Sequence, residues 1–158
     1  MEIKEACEKN INDIIELLKE ANKYHSNLRP DLFNGKNPKY NYNDLLNIIH
    51  NPNMKIYVCI INDKAIGHIF MILNNHKNDV VLNDFKTLYI DDLFIKDDYR
   101  GKGLGHILFD KALEFAKENE CYNITLSVWA GNSKSEEFYK NLGMNPQKTY
   151  MEYIIKWK

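Results

Sequence analysis

The segment Tyr99 to Lys117, YRGKGLGHILFDKALEFAK, limits what this chain can fold into more than any other. It follows the strand-like run LYIDDLFI and precedes another, NITLSVW. Its glycines stand at alternate positions, Gly101, Gly103 and Gly105, where a helix begins. Glycine costs about 1 kcal/mol inside a helix and is permissive in a turn, so this loop needs bare backbone. Leu104, Ile107, Leu108, Ala112, Phe115 and Ala116 then fall on one helical face. Strand, helix and strand in that order make a parallel crossover.

The remaining elements follow from periodicity and turn chemistry. MEIKEA reads as a first strand. Ile11, Ile14, Ile15, Leu18 and Ala21 follow at helical spacing, with Asn10 or Asn12 placed to cap. Residues 27–42 carry Pro30, Gly35 and Pro38 and read as a loop. NDLLNIIHN reads as a short helix and MKIYVCII as a strand. Asn62–Asp63 reads as a hairpin turn, with AIGHIFMIL as the returning strand. SKSEEFYKNL is a helix stopped by Gly143, and TYMEYIIKW a closing strand. The order is β-α-α-β-β-β-α-β-α-β without linker or repeat. The expected fold class is α/β (mixed α+β), a single domain over residues 1–158 with a mixed sheet and helices packed on it.

Charge and composition narrow the partners. A formal net charge of −1 gives no support to nucleic acid or an anionic membrane. No apolar run is long enough to span a bilayer, and MEIKEACEKN lacks the apolar stretch of a signal peptide. The three cysteines, Cys7, Cys59 and Cys121, match no metal or redox spacing. The expectation is a cytoplasmic protein with reduced thiols and no metal.

A glycine loop at a helix start exposes amides without intrahelical partners, and the helix dipole adds positive potential. With Arg100 and Lys102 beside it, the loop suits a phosphate. It is not a Walker A loop, because His106 follows Gly105 where Lys–Ser/Thr is required. It is not a dinucleotide fingerprint either, because the third glycine falls out of register. A glycine loop alone would equally serve to turn a corner. Two features point further. Asp91 and Asp92 sit inside an apolar strand, where alternation sends them to opposite faces and at least one is half-buried. In NSKSEEFYKNLGM, Asn132 can cap, Phe138 and Leu142 pair at core spacing, and Tyr139 is free to face elsewhere.

Together these pieces resemble the GNAT superfamily of acetyl-CoA-dependent N-acetyltransferases. The family's pyrophosphate loop, R/Q-x-x-G-x-G/A, reads Arg100-Gly101-Lys102-Gly103-Leu104-Gly105. Its later signature, N-x-x-(A/S)-x-x-F-Y-x-x-x-G-F/M, spans Asn132 to Met144, and the element order matches along essentially the whole chain. The paired acids also resemble small-amine acetyltransferases of the spermidine/spermine kind. The resemblance implies a mostly antiparallel sheet with one parallel, splayed strand pair and helices on both faces. It implies acetyl-CoA as co-substrate, with the pyrophosphate on the backbone of Gly101 to His106. It places the pantetheine arm along Leu93, Phe94 and Ile95, Asn132 beside that arm, and Tyr139 at the sulfur. A homodimer is common in the family.

The chemistry asks for such parts independently. An amine attacks a thioester only when neutral, yet a primary amine with a pKa of about 10 is mostly protonated at neutral pH. Asp91 or Asp92 can take that proton. Negative charge developing on the carbonyl oxygen needs a fixed donor, and the leaving thiolate needs an acid, for which Tyr139 is the candidate. On the acceptor side, Tyr24, His25, Arg29 and Phe33 follow the first helix as candidate wall residues, with Tyr150 to Tyr153 opposite. The acceptor is expected to be a small-molecule amine. A protein N-terminal or lysine acetyltransferase, and a non-catalytic acyl-CoA-binding domain, are the alternatives.

Overall fold

The computed structural model describes residues 1–156. In chain order it comprises β1 (Glu2–Glu5), α1 (Ile11–Leu28), α2 (Tyr42–Ile49), β2 (Met54–Ile61), β3 (Lys64–His76), β4 (Phe85–Ile95), α3 (Leu104–Glu118), β5 (Asn123–Thr125) and α4 (Ser133–Asn141). Short 3-10 turns, Glu8–Asn10 and Asp97–Tyr99, precede α1 and the glycine loop. The sheet runs β1-β2-β3-β4-β5, antiparallel except for the β4–β5 pair. This is the mixed, single-domain α/β architecture that the periodicity predicts.

Each face of the sheet has its own core. Ile11, Ile14, Leu17 and Leu18 of α1 and Leu45 of α2 pack on Ile56, Val58 and Phe70. Leu104, Leu108 and Ala112 of α3 pack on Ile69, Leu88 and Ile90 from the opposite side. Asn41 caps α2 by accepting from the Asp44 amide at 2.9 Å, and Asp44 returns the bond to the Asn41 amide at 3.0 Å. At the β2–β3 hairpin Asn62 and Asp63 have φ of 50° and 63°, as a two-residue primed turn demands.

Two features of the sheet shape the site. First, β4 bulges. Phe70 of β3 lies opposite Asp92 and Met71 opposite Ile90, so Asp91 has no partner across the ladder. The extra residue inverts the alternation. Leu88 and Ile90 face α3 before the bulge, whereas Phe94 faces α1 and Ile95 faces α3 after it. Asp91 and Asp92 therefore lie on the same face, the α1 face, and not on opposite faces as simple alternation predicts.

Second, β4 and β5 pair only from Thr87–Asn123 to Tyr89–Thr125. Beyond Thr125 the run NITLSVW leaves the sheet, so its strand is shorter than its apolar pattern suggests. The closing strand expected at TYMEYIIKW is absent over residues 149–156, and Trp157 of that run lies outside the described residues. Its aromatic and β-branched residues suit a strand, but residue preference supplies no hydrogen-bonding partner. Tyr150 and Tyr153 are almost fully exposed, and Glu152 is tied by an ion pair to Arg29 at 2.7 Å.

Candidate active site

The end of β4, the glycine loop and α4 enclose one side of a cavity of roughly 500 Å3, and α1 closes the other. Gly101 and Gly103 have φ of 74° and 80°, a left-handed backbone that other residues adopt only under strain. A Cβ at either position would meet nothing within 4 Å, so the glycines serve conformation and leave open space above the turn. Gly105 has a different reason. A Cβ there would stand 3.0 Å from the Phe138 ring, which packs down on α3.

No amide from Gly101 to His106 donates to a backbone carbonyl among the described residues. The helical ladder starts at Ile107, whose amide donates to Gly103 at 3.2 Å. Arg100 steadies the turn. Its Nε donates to the Ile95 carbonyl at 2.8 Å, and its guanidinium lies 5.1 Å and 5.2 Å from the rings of Tyr24 and Phe94. Leu93, Phe94, Ile95, Arg100, Gly101, Gly103, Leu104, Gly105, His106 and Asn132 all line the cavity. Lys102 does not; its Nζ donates to the Asp98 carbonyl at 3.2 Å. Asn132 also caps α4, accepting from the Ser135 amide at 3.3 Å.

The two aspartates are held differently. Asp91 accepts from Lys39 Nζ at 2.7 Å and from the Tyr40 hydroxyl at 2.6 Å, and it does not line the cavity. Burial and the Asp91 carboxylate push the Tyr40 phenol well above its ordinary value. Asp92 lines the cavity, with Oδ2 2.5 Å from Nε2 of the fully buried His68. Tyr139 shares the cavity with Asp92. Burial, then the negative charge of Asp92, raise its phenol well above the usual range. His25 lines the opposite side, and burial lowers its ring below 6.5.

Of the expected acceptor residues, Tyr24 and His25 line the cavity, whereas Arg29 and Phe33 stand behind it. Arg29 forms a fork with Asp31 at 2.9 Å and 2.7 Å, and these bonds with Glu152 raise its guanidinium further. Phe33 packs between His25 and Trp129, with ring centroids at 5.2 Å and 5.4 Å. Tyr150 to Tyr153 lie away from the cavity. Three residues escaped the sequence reading: Lys39, Tyr40 and His68. The first two lie in a loop without a distinguishing pattern. His68 did leave a signal, as the single polar side chain between Ala65 and Leu73.

The sequence pattern of the acetyltransferase (GNAT) family matches this chain over residues 14–144. The chain belongs to the GNAT family. Among this GNAT protein's relatives is an uncharacterised N-acetyltransferase of Methanocaldococcus jannaschii, 32% identical over 62% of this chain and 42% of that one. A putative [ribosomal protein bS18]-alanine N-acetyltransferase of Bacillus subtilis is 36% identical over 42% of each. The thialysine N-epsilon-acetyltransferase of Sus scrofa is 34% identical over 37% of this chain and 34% of its own. The matched regions thus span about a third to two fifths of these relatives. A tetramutant protein of Bacillus halodurans superposes with a TM-score of 0.92 at 25% identity, covering 98% of this chain and 100% of the other. An aminoglycoside N-acetyltransferase solved with CoA shares the fold, with a TM-score of 0.73 at 12% identity over 98% and 99% of the two chains.

Proposed function

We propose that this GNAT protein transfers an acetyl group from acetyl-CoA to the amine of a small molecule by direct attack in a ternary complex. The observation that carries the reading is the meeting of Asp92 and the free amides of the glycine loop in one cavity. The loop fits a pyrophosphate: its amides are unspent, and the space over Gly101 and Gly103 is clear. The far edge of Leu93 to Ile95 fits an extended arm, because β5 pairs with β4 only as far as Tyr89. Acetyl-CoA, when bound, supplies an acetyl thioester whose sulfur is the leaving group.

The residues then divide the work. Asp92 draws a cationic amine into the cavity and takes its proton. Asp91, already bonded to Lys39 and Tyr40, holds the loop before α2 against β4. Tyr139 keeps its proton at neutral pH. A phenol near 10 is already a weaker acid than a thiol near 8.5, and here the phenol is raised further. Full proton transfer to a thiolate runs uphill, so Tyr139 acts by hydrogen bonding to the negative charge developing on sulfur. None of Cys7, Cys59 and Cys121 lines the cavity, which suits direct transfer without a thiol nucleophile.

The test is a panel of polyamines, lysine analogues, aminoglycosides and an alanine-first peptide, read by release of free CoA thiol. Turnover of small amines with the peptide inert supports the proposal. Turnover of the peptide alone transfers the protein to an N-terminal acetyltransferase role, favoured by the relative named for ribosomal alanine. Tight acetyl-CoA binding without turnover of any amine makes it a binding domain.

A further inference from the structure

His68 has no place in the activities already described, yet it is costly to keep. It is fully buried on the α1 face of β3, with its ring 4.9 Å from that of Phe70 and 6.3 Å from that of Phe94. A buried imidazole in such surroundings is disfavoured unless its nitrogens are satisfied. Only one is: Nε2 meets Asp92 Oδ2, while Nδ1 has no partner among the described residues. This asymmetry selects the tautomer. A proton on Nδ1 would be a buried donor without an acceptor, carrying the full desolvation penalty of that group. With the proton on Nε2, the ring donates to the carboxylate and only a lone pair is left unpaired.

We propose that His68 is a positioning residue for the acceptor site: neutral and protonated on Nε2, it fixes Asp92 Oδ2 and leaves Oδ1 to meet the acceptor amine. The proposal rests on the acetyl-transfer reading. In the step it supports, one N–H bond of the acceptor ammonium breaks and an O–H bond forms at Asp92 Oδ1. The electron pair stays on nitrogen for attack. Without the Nε2–H the carboxylate loses its anchor and a charge-stabilising donor together. The other groups around Asp92 are His25 from α1, Lys39 and Tyr40 from the following loop, Asp91 beside it and Tyr139 from α4. Among the described residues, His68 alone is both fully buried and hydrogen-bonded through its side chain to the Asp92 carboxylate.

The first experiment needs neither substrate nor mutant. Ring nitrogen NMR of 15N-histidine protein at neutral pH should show His68 Nε2 protonated and Nδ1 bare. A proton on Nδ1 overturns the proposal whatever reaction the protein performs. The second uses the best amine of the panel. His68→Leu should lower kcat/KM for the amine about tenfold to hundredfold, the scale of a lost hydrogen bond to a charged group. It should also move the acidic limb of the pH–rate profile upward and leave the KM for acetyl-CoA unchanged. His68→Gln, which keeps an N–H donor at about the reach of Nε2, should restore most of the rate and the profile. In an Asp92→Asn background His68→Leu should cost nothing further. An unchanged profile in folded His68→Leu, or an equal loss with and without Asp92, assigns His68 to packing and overturns the proposal. Absence of acyl transfer in wild type refutes the functional reading instead, while the tautomer still judges the pair.

Discussion

Around the glycine loop the hydrogen bonds that shape the turn are short in sequence. Arg100 reaches back five residues to Ile95, Asn132 caps three residues ahead, and Gly101 and Gly103 act through their own backbone angles. Across the cavity the contacts are long. Tyr40 meets Asp91 over 51 residues and His68 meets Asp92 over 24. The backbone of the loop is set by local chain chemistry, with Tyr24 and Phe138 packing against it from α1 and α4. The acceptor side exists only when the bulge, the α1–α2 loop and β3 are all in place. Under the proposed function, substrate choice would be assembled from tertiary contacts, and the co-substrate would be held by a loop that a short segment largely specifies.

The largest test of that contrast sets the two aspartates against each other. Asp92→Asn should lower kcat/KM for the amine about a hundredfold to ten-thousandfold and leave acetyl-CoA affinity unchanged by calorimetry. Asp91→Asn should change the rate only a few-fold. It should lower the melting temperature by a few degrees, because Lys39 is half-exposed and the lost pairing is worth only about 1 kcal/mol. The reverse order of effects would exchange their roles. Gly103→Val strikes the other region. A β-branched residue cannot hold a φ of 80° without about 1–3 kcal/mol of strain, so the turn reshapes. Acetyl-CoA affinity should fall about tenfold to hundredfold while the amine profile persists; unchanged affinity in a folded variant removes the loop from the binding site.

Tyr139→Phe probes the seam between the two regions. It should lower kcat about tenfold, the smaller end of a charge-assisted hydrogen bond, with acetyl-CoA affinity intact. Full activity would leave Tyr139 as a packing residue. The smallest effect concerns His25. Burial favours its neutral ring, so the unfolded chain takes the proton first, and stability should fall as pH drops below 6.5 until the folded ring also titrates. His25→Gln should flatten that part of a melting-temperature profile between pH 7 and 5. An identical slope in both proteins would place the titrating group elsewhere.

The same contrast explains what could be read in advance. Helix periodicity found α1, α3 and α4, and turn chemistry found the Asn62–Asp63 hairpin, because those signals lie within a few residues of each other. The turn at Gly101 and Gly103 and the place of Tyr139 on the cavity wall were legible for the same reason. The closing strand was not, since Tyr150 to Lys156 are rich in strand-favouring residues yet pair with no edge among the described residues. Nor was the shared face of Asp91 and Asp92, because a bulge is a relation between two strands and leaves no mark in one. His68 showed as a polar interruption, but its partner depended on a register that single-strand alternation does not contain.

That bulge has a consequence for how the protein can change. One extra residue at Asp91 acts as a phase shift: it swaps the address of every side chain from Asp92 to Ile95 and leaves Phe85 to Ile90 where they were. The strand is thereby two modules in series. Its first half is locked to the α3 core, and its second half is indexed to the cavity. Pairing this same run in strict alternation, with Asp91 kept and no bulge, would send Asp92 through the sheet into the apolar layer under α3 and turn Leu93 and Ile95 toward α1. Point substitutions in the second half alter the cavity one side chain at a time, whereas a slip in register that irons out the bulge would rewrite the whole wall at once.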